Sequence, residues 1–101
     1  MAHLISTSSP FLRSFTTVQT TLSTTKIEVL ALPTNITTKR IIVLIQNLSA
    51  TETVQVMGNA TDTVGVNLPP LSQFSIDNYQ GVLHAVANAG TPAINITIST
   101  V

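Results

Sequence analysis

Polar and apolar residues alternate along most of this chain, and the alternation fails at one place. Ile41 to Ile45 is an unbroken aliphatic run between Arg40 and Gln46-Asn47. Successive strand side chains point to opposite faces, so Ile41, Val43 and Ile45 share one face and Ile42 and Leu44 the other. Three of the five are β-branched, which suits a strand. The run is far shorter than the ~20 apolar residues of a membrane span. It predicts a strand covered on both faces. The domain's own second sheet can supply one cover; the other must be the N-terminal segment, a loop or a neighbouring molecule.

The rest of the chain punctuates itself into further strands. Phe15 to Leu22 is Thr-rich, with Val18 and Leu22 inward. Lys26 to Leu32 places Ile27, Val29 and Ala31 on one face and Glu28, Leu30 and Leu32 on the other. Pro33 to Thr38 is a turn or loop. After the central strand, Thr53 to Met57 directs Val54 and Val56 to one side. Val64, Val66 and Leu68 alternate in a short strand that Pro69-Pro70 ends. Leu71 to Asp77 has Phe74 and Ile76 facing in. Val82 to Ala87 divides into Leu83, Ala85, Ala87 and Val82, His84, Val86. Ala93 to Ser99 has Ile94, Ile96 and Ile98 inward. Residues 1–14 show neither period. Ser6 to Pro10 breaks structure there, while Leu4, Ile5, Phe11 and Leu12, with Phe15 just beyond, are apolar residues able to anchor a docking arm.

About eight short strands with frequent turn signals and no amphipathic helix predict an all-β fold. The expected architecture is a single antiparallel β-sandwich, jelly-roll-like, with an extended N-terminal arm over 1–14 and the sandwich over 15–101. At 101 residues one core is possible without staples.

Charge changes the picture most. Only 8% of residues are charged, against about 25% in an average domain, and the formal net charge is zero. Arg13, Lys26, Lys39 and Arg40 cannot make a basic patch, so no nucleic-acid partner is expected. A surface of Thr, Ser, Asn and Gln resists self-association poorly and suits a subunit of an assembly. There is no cysteine. The N-terminus lacks the basic start and long apolar stretch of an export signal, and no membrane-spanning segment is expected.

Candidate chemistry is sparse. His3 and His84 are the only histidines, too few and too far apart for a metal-binding barrel. A Ser-His-Asp arrangement would need Asp77 or Asp62 to orient His84. Glu52 and Asp62 flank one hairpin without the Asp-x-Asx pattern of a calcium loop. Asn35, Asn47, Asn59 and Asn95 each open an Asn-x-Ser/Thr triplet, but Thr and Ser make up about a quarter of the chain, and without an export signal these do not mark glycosylation. Tyr79, in a turn beside Asn78 and Gln80, is the one candidate for stacking on a sugar. Neither catalysis nor a cofactor or metal is expected.

The segment from Arg40 to Val56, followed by Val66-Asn-Leu-Pro-Pro-Leu-Ser-Gln-Phe-Ser-Ile-Asp77 and Gly81-Val-Leu-His-Ala-Val-Ala87, resembles small β-sandwich virion proteins of tailed bacteriophages. In these an Arg-x-x-Val-x-Ile-x-Asn strand precedes a Leu-Pro-Pro turn and a Ser-Phe-x-Ile/Leu strand. Leu71 stands where such proteins tend to have Gly. The resemblance implies a capsid cement or decoration protein. Its partner would be the major capsid protein, and it would be a homo-oligomer, trimer or dimer, made in the host cytoplasm and placed on the capsid surface. Ile42 and Leu44, with the arm anchors, would then form the interface. The alternative is a receptor- or glycan-binding spike or fibre module using Tyr79.

Overall fold

The computed structural model describes residues 14–33 and 39–100. Eight strands form two four-stranded sheets: β1 (Ser14–Thr21), β2 (Ile27–Leu30), β3 (Arg40–Asn47), β4 (Val54–Met57), β5 (Val66–Leu68), β6 (Gln73–Asp77), β7 (Leu83–Ala87) and β8 (Ala93–Thr100). One sheet has the order β1-β8-β3-β6 and the other β2-β7-β4-β5. Every ladder is antiparallel. The pairs β1·β8, β2·β7, β3·β6 and β4·β5 describe one long antiparallel ribbon, folded back at the β4–β5 connection. Rolling that ribbon up adds the β3·β8 and β4·β7 ladders and makes a jelly roll. Among the described residues no helix is long and apolar enough to cross a membrane.

The core follows from period-two alternation. Val43 and Ile45 of β3 and Ile94 and Ile96 of β8 are buried in one cluster with Val54, Val56, Leu83, Ala85 and Ala87 of the opposite sheet, joined by Leu22, Leu30 and Leu68. Phe74, Ile76 and Ile98 are partly buried against it. Each large aliphatic side chain so buried contributes about 1.5–3 kcal/mol before ordering costs.

Three strands depart from simple in-and-out alternation, each for a reason of position in the sheet. Val18 has the inward parity but remains 53% exposed, because β1 is an edge strand with one neighbour. Val64 and Val66 are 76% and 50% exposed; the strand begins only at Val66, and β5 too is an edge. In β2 the strict alternation fails. The register with β7 shifts between Glu28 and Leu30, so Val29 and Leu30 both pack towards the core while Ile27 is 37% exposed. Such a shift leaves one residue without a cross-strand partner and redirects the side chains after it. A second shift falls between Arg40 and Ile42 on β8, and the consecutive residues Arg40 and Ile41 are both buried.

Candidate docking face

The registers place the outward residues of the β1-β8-β3-β6 sheet in three rows. Phe15, Ser99, Ile42 and Asp77 form the first; Thr17, Thr97, Leu44 and Ser75 the second; Gln19, Asn95, Gln46 and Gln73 the third. Asp77 is the one charged residue among them. Neighbouring polar side chains bond along the rows: the Thr17 and Thr97 hydroxyls are 2.8 Å apart, and Gln46 Nε2 donates to Gln73 Oε1 at 3.1 Å. Ile42 and Leu44 sit at the centre of this neutral field, each half-buried by its strand neighbours, and Phe15 stands 73% exposed at its rim. Nothing among the described residues forms a third layer over them. The face offers apolar contact and uncharged hydrogen bonding.

The outer face of the other sheet is partly covered by its own chain. Met57 is buried, and Gly65 lies so close that a β-carbon there would be 2.6 Å from Met57 Cγ and 2.4 Å from the Val56 carbonyl oxygen. Lys26 Nζ donates to the Asp62 carbonyl at 2.6 Å, tying the β4–β5 loop to the segment before β2. His84 lies between Glu28 and Met57 in the registers. Its Nδ1 is buried and has no hydrogen-bond partner among the described residues, so neither Asp77 nor Asp62 orients the ring through that nitrogen. The Asp62 carboxylate accepts instead from the backbone and side-chain nitrogens of Asn59 at 3.2 and 3.4 Å. Among the described residues no three His, Cys, Asp or Glu gather as metal ligands.

Tyr79 is turned inward. Its ring packs on the core cluster, its hydroxyl donates to the Val82 carbonyl, and a β-carbon at Gly81 would lie 2.6 Å from that hydroxyl. Leu4, Ile5, Phe11 and Leu12 lie outside the described residues, as does His3. The structure therefore brings Ile42, Leu44 and Phe15 onto one face and places Tyr79 elsewhere, in the β6–β7 turn.

Two residues at the ends of β3 matter more than their types suggested. Arg40 is 6% exposed. Its guanidinium donates to the Gly81 carbonyl at 2.7 Å and to the Ala31 carbonyl, while the Gln80 amide bonds both backbone groups of Arg40, at 3.1 and 2.7 Å. Burial lowers its pKa from the ordinary value, and the Tyr79 phenol works in the opposite direction. At the other end, Asn47 is 2% exposed. Its Nδ2 donates to the carbonyls of Glu52 (2.8 Å), Leu68 (3.0 Å) and Pro69 (3.2 Å), and its Oδ1 accepts from Ser49 N–H at 3.0 Å. An apolar strand ending in two hydrogen-bonding residues was the available signal. These two clamps tie the ends of β3 to Ala31 and to the Gln80–Gly81 turn on one side, and to Ser49, Glu52, Leu68 and Pro69 on the other. No protein-family model matches the chain, and no curated protein sequence matches it either.

Proposed function

We propose that this protein is a structural subunit of a virion, a cement or decoration protein that reinforces a bacteriophage head by burying surface across coat-subunit junctions. The observation that carries this reading is the neutral outer face of the β1-β8-β3-β6 sheet, with Ile42 and Leu44 at its centre and Phe15 at its rim. A sheet face of that chemistry fits another protein surface and fits neither an anion nor a small-molecule transition state. The jelly roll is an architecture that capsid proteins use, and the sequence resemblance points the same way. The coat protein is the partner, with the anchors of the first 14 residues adding to the contact. Copies repeated over a lattice turn modest single contacts into large total reinforcement.

The glycan- or receptor-binding alternative rests on Tyr79, whose hydroxyl and ring are both engaged within the domain. It has no other exposed aromatic in that turn to stack on a sugar.

The test is to produce particles with and without this chain and image the heads. Many copies at regular positions over coat junctions, and heads that burst at lower temperature without it, are the expected results. Its absence from the head, or a few copies at the tail tip only, refutes the reading. Since Asp77 is the one charge in its rows, at the β6 edge, reattachment to bare heads should change little between low and high salt.

A further inference from the structure

We infer that the outer edge of β1, which has no strand partner among the described residues, is a pairing edge for β1 of a second copy of this chain, giving a twofold dimer with one continuous eight-stranded sheet. This goes beyond the cement reading and does not depend on it.

A sheet edge presents unpaired N–H and C=O groups, and proteins that remain monomeric guard such edges with brevity, charge, proline or bulges. Three of the four edges here are guarded. β2 has four residues, a register shift and the charged Glu28. β5 has three residues and runs into Pro69-Pro70. β6 has five, ends in Asp77, and is followed by Asn78 at positive φ. The fourth, β1, carries none of these devices. It is eight residues long, contains no charge and no proline, and keeps an unbroken register with β8 from Ser14 to Thr21. All of it is exposed except Thr20, which is half-buried.

The occupant follows from self-complementarity. A twofold axis perpendicular to the sheet keeps outward residues outward, so each residue must pair with one of its own parity. Two registers satisfy this near the strand centre. With Thr17 on the axis, Phe15 lies opposite Gln19 of the second copy and Thr16 opposite its Val18. With Val18 on the axis, Val18 meets Val18 and Phe15 meets Thr21. Neither opposes like charges, and the chain as a whole carries no net charge to repel its copy. The product is a sheet ordered β6-β3-β8-β1 followed by β1-β8-β3-β6 of the second copy. It places two Phe15–Ile42–Leu44 faces side by side, which would give a docking partner two contacts at once.

The test uses the full chain in sedimentation equilibrium from micromolar to millimolar concentration. A species of twice the 10.7 kDa chain mass is expected, dissociating on dilution. Val18→Lys, at a half-exposed edge position, should give the chain mass at all concentrations and still unfold cooperatively on heating. Asp77→Lys, on the β6 edge, should leave the dimer intact. The chain has no cysteine, so Thr17→Cys and Val18→Cys each introduce a single thiol; whichever lies on the axis should cross-link on mild oxidation. A wild-type chain at monomer mass throughout overturns the inference, as does a dimer that survives Val18→Lys and cross-links at neither position.

Discussion

Asn47 is where the fold can be most sharply tested. Its amide nitrogen faces three carbonyls, and the contact with Leu68 is wholly buried. Asn47→Ala removes the donor and leaves the Leu68 carbonyl without a partner, along with the Ser49 N–H on the other side. An unsatisfied buried polar group costs about 1–3 kcal/mol. The Glu52 and Pro69 carbonyls and the Ser49 N–H are only part-buried and can recover water. The expected loss is therefore about 1–3 kcal/mol, a sizeable share of the ~5–15 kcal/mol that holds a domain of this size. In thermal unfolding this is a drop of roughly 5–25 °C. Asn47→Asp is the discriminating variant. It keeps the shape but turns a carboxylate towards three carbonyls, so at neutral pH it should be worse than Asn47→Ala. The carbonyls favour the neutral acid, which raises the folded-state pKa above the ordinary ~3.9. Stability lost at neutral pH should then return as pH falls through the raised folded pKa, and be fully present below the unfolded value. Urea denaturation at neutral and mildly acid pH measures both variants. If they lose less than ~1 kcal/mol and show equal pH dependence, the buried-carbonyl reasoning is wrong.

Three further outcomes are expected. Leu71 is 69% exposed and sits at φ 60°, a conformation that suits glycine, so Leu71→Gly should stabilise the protein by about 0.5–1 kcal/mol and raise its melting temperature by a few degrees. Gly65→Ala should destabilise by about 2–3 kcal/mol in denaturant titration, since the new methyl group meets a backbone carbonyl that cannot swing aside. Leu44→Lys, on a half-buried outward position, should leave melting within a few degrees of wild type but weaken reattachment to bare heads at least about tenfold, read by co-sedimentation; unchanged attachment removes the face from the interface.

The strand pattern was legible because burial on one face repeats every second residue. Val43, Ile45, Val54, Val56, Leu83, Ala85, Ala87, Ile94 and Ile96 are core residues that alternation alone identifies. What alternation cannot show is which strands end up at an edge. Val18 and Val66 have core parity and stay exposed for that reason. Nor can it show a register shift, which depends on the partner strand, as at Glu28/Leu30 and Arg40/Ile42. Of the candidate site, Ile42 and Leu44 could be read from the aliphatic run, since five apolar residues in a row must put some outward. The polar ends of that run hinted at Arg40 and Asn47, but not at their partners, which lie up to 41 residues away on loops that only the finished fold brings back. Tyr79 looked available because its turn is polar; the nearby Gly81, which leaves room for the ring to fold inward, was the clue.

The rolled-ribbon pairing also governs the order in which this protein can become itself. Ser14 meets Thr100, 86 positions further along the chain, and β8 is the strand that joins β1 to β3. A ribosome makes β8 after every strand it connects. Until then β1 has no partner in its sheet, and the aliphatic run of β3 has only β6 beside it. Completion of this sheet must therefore wait for β8, and folding is expected in the millisecond-to-second range of non-local β proteins. During that interval Ile41 to Ile45 is the segment most exposed to wrong partners, and a cell making many copies at once would face its greatest aggregation risk before the last strand arrives.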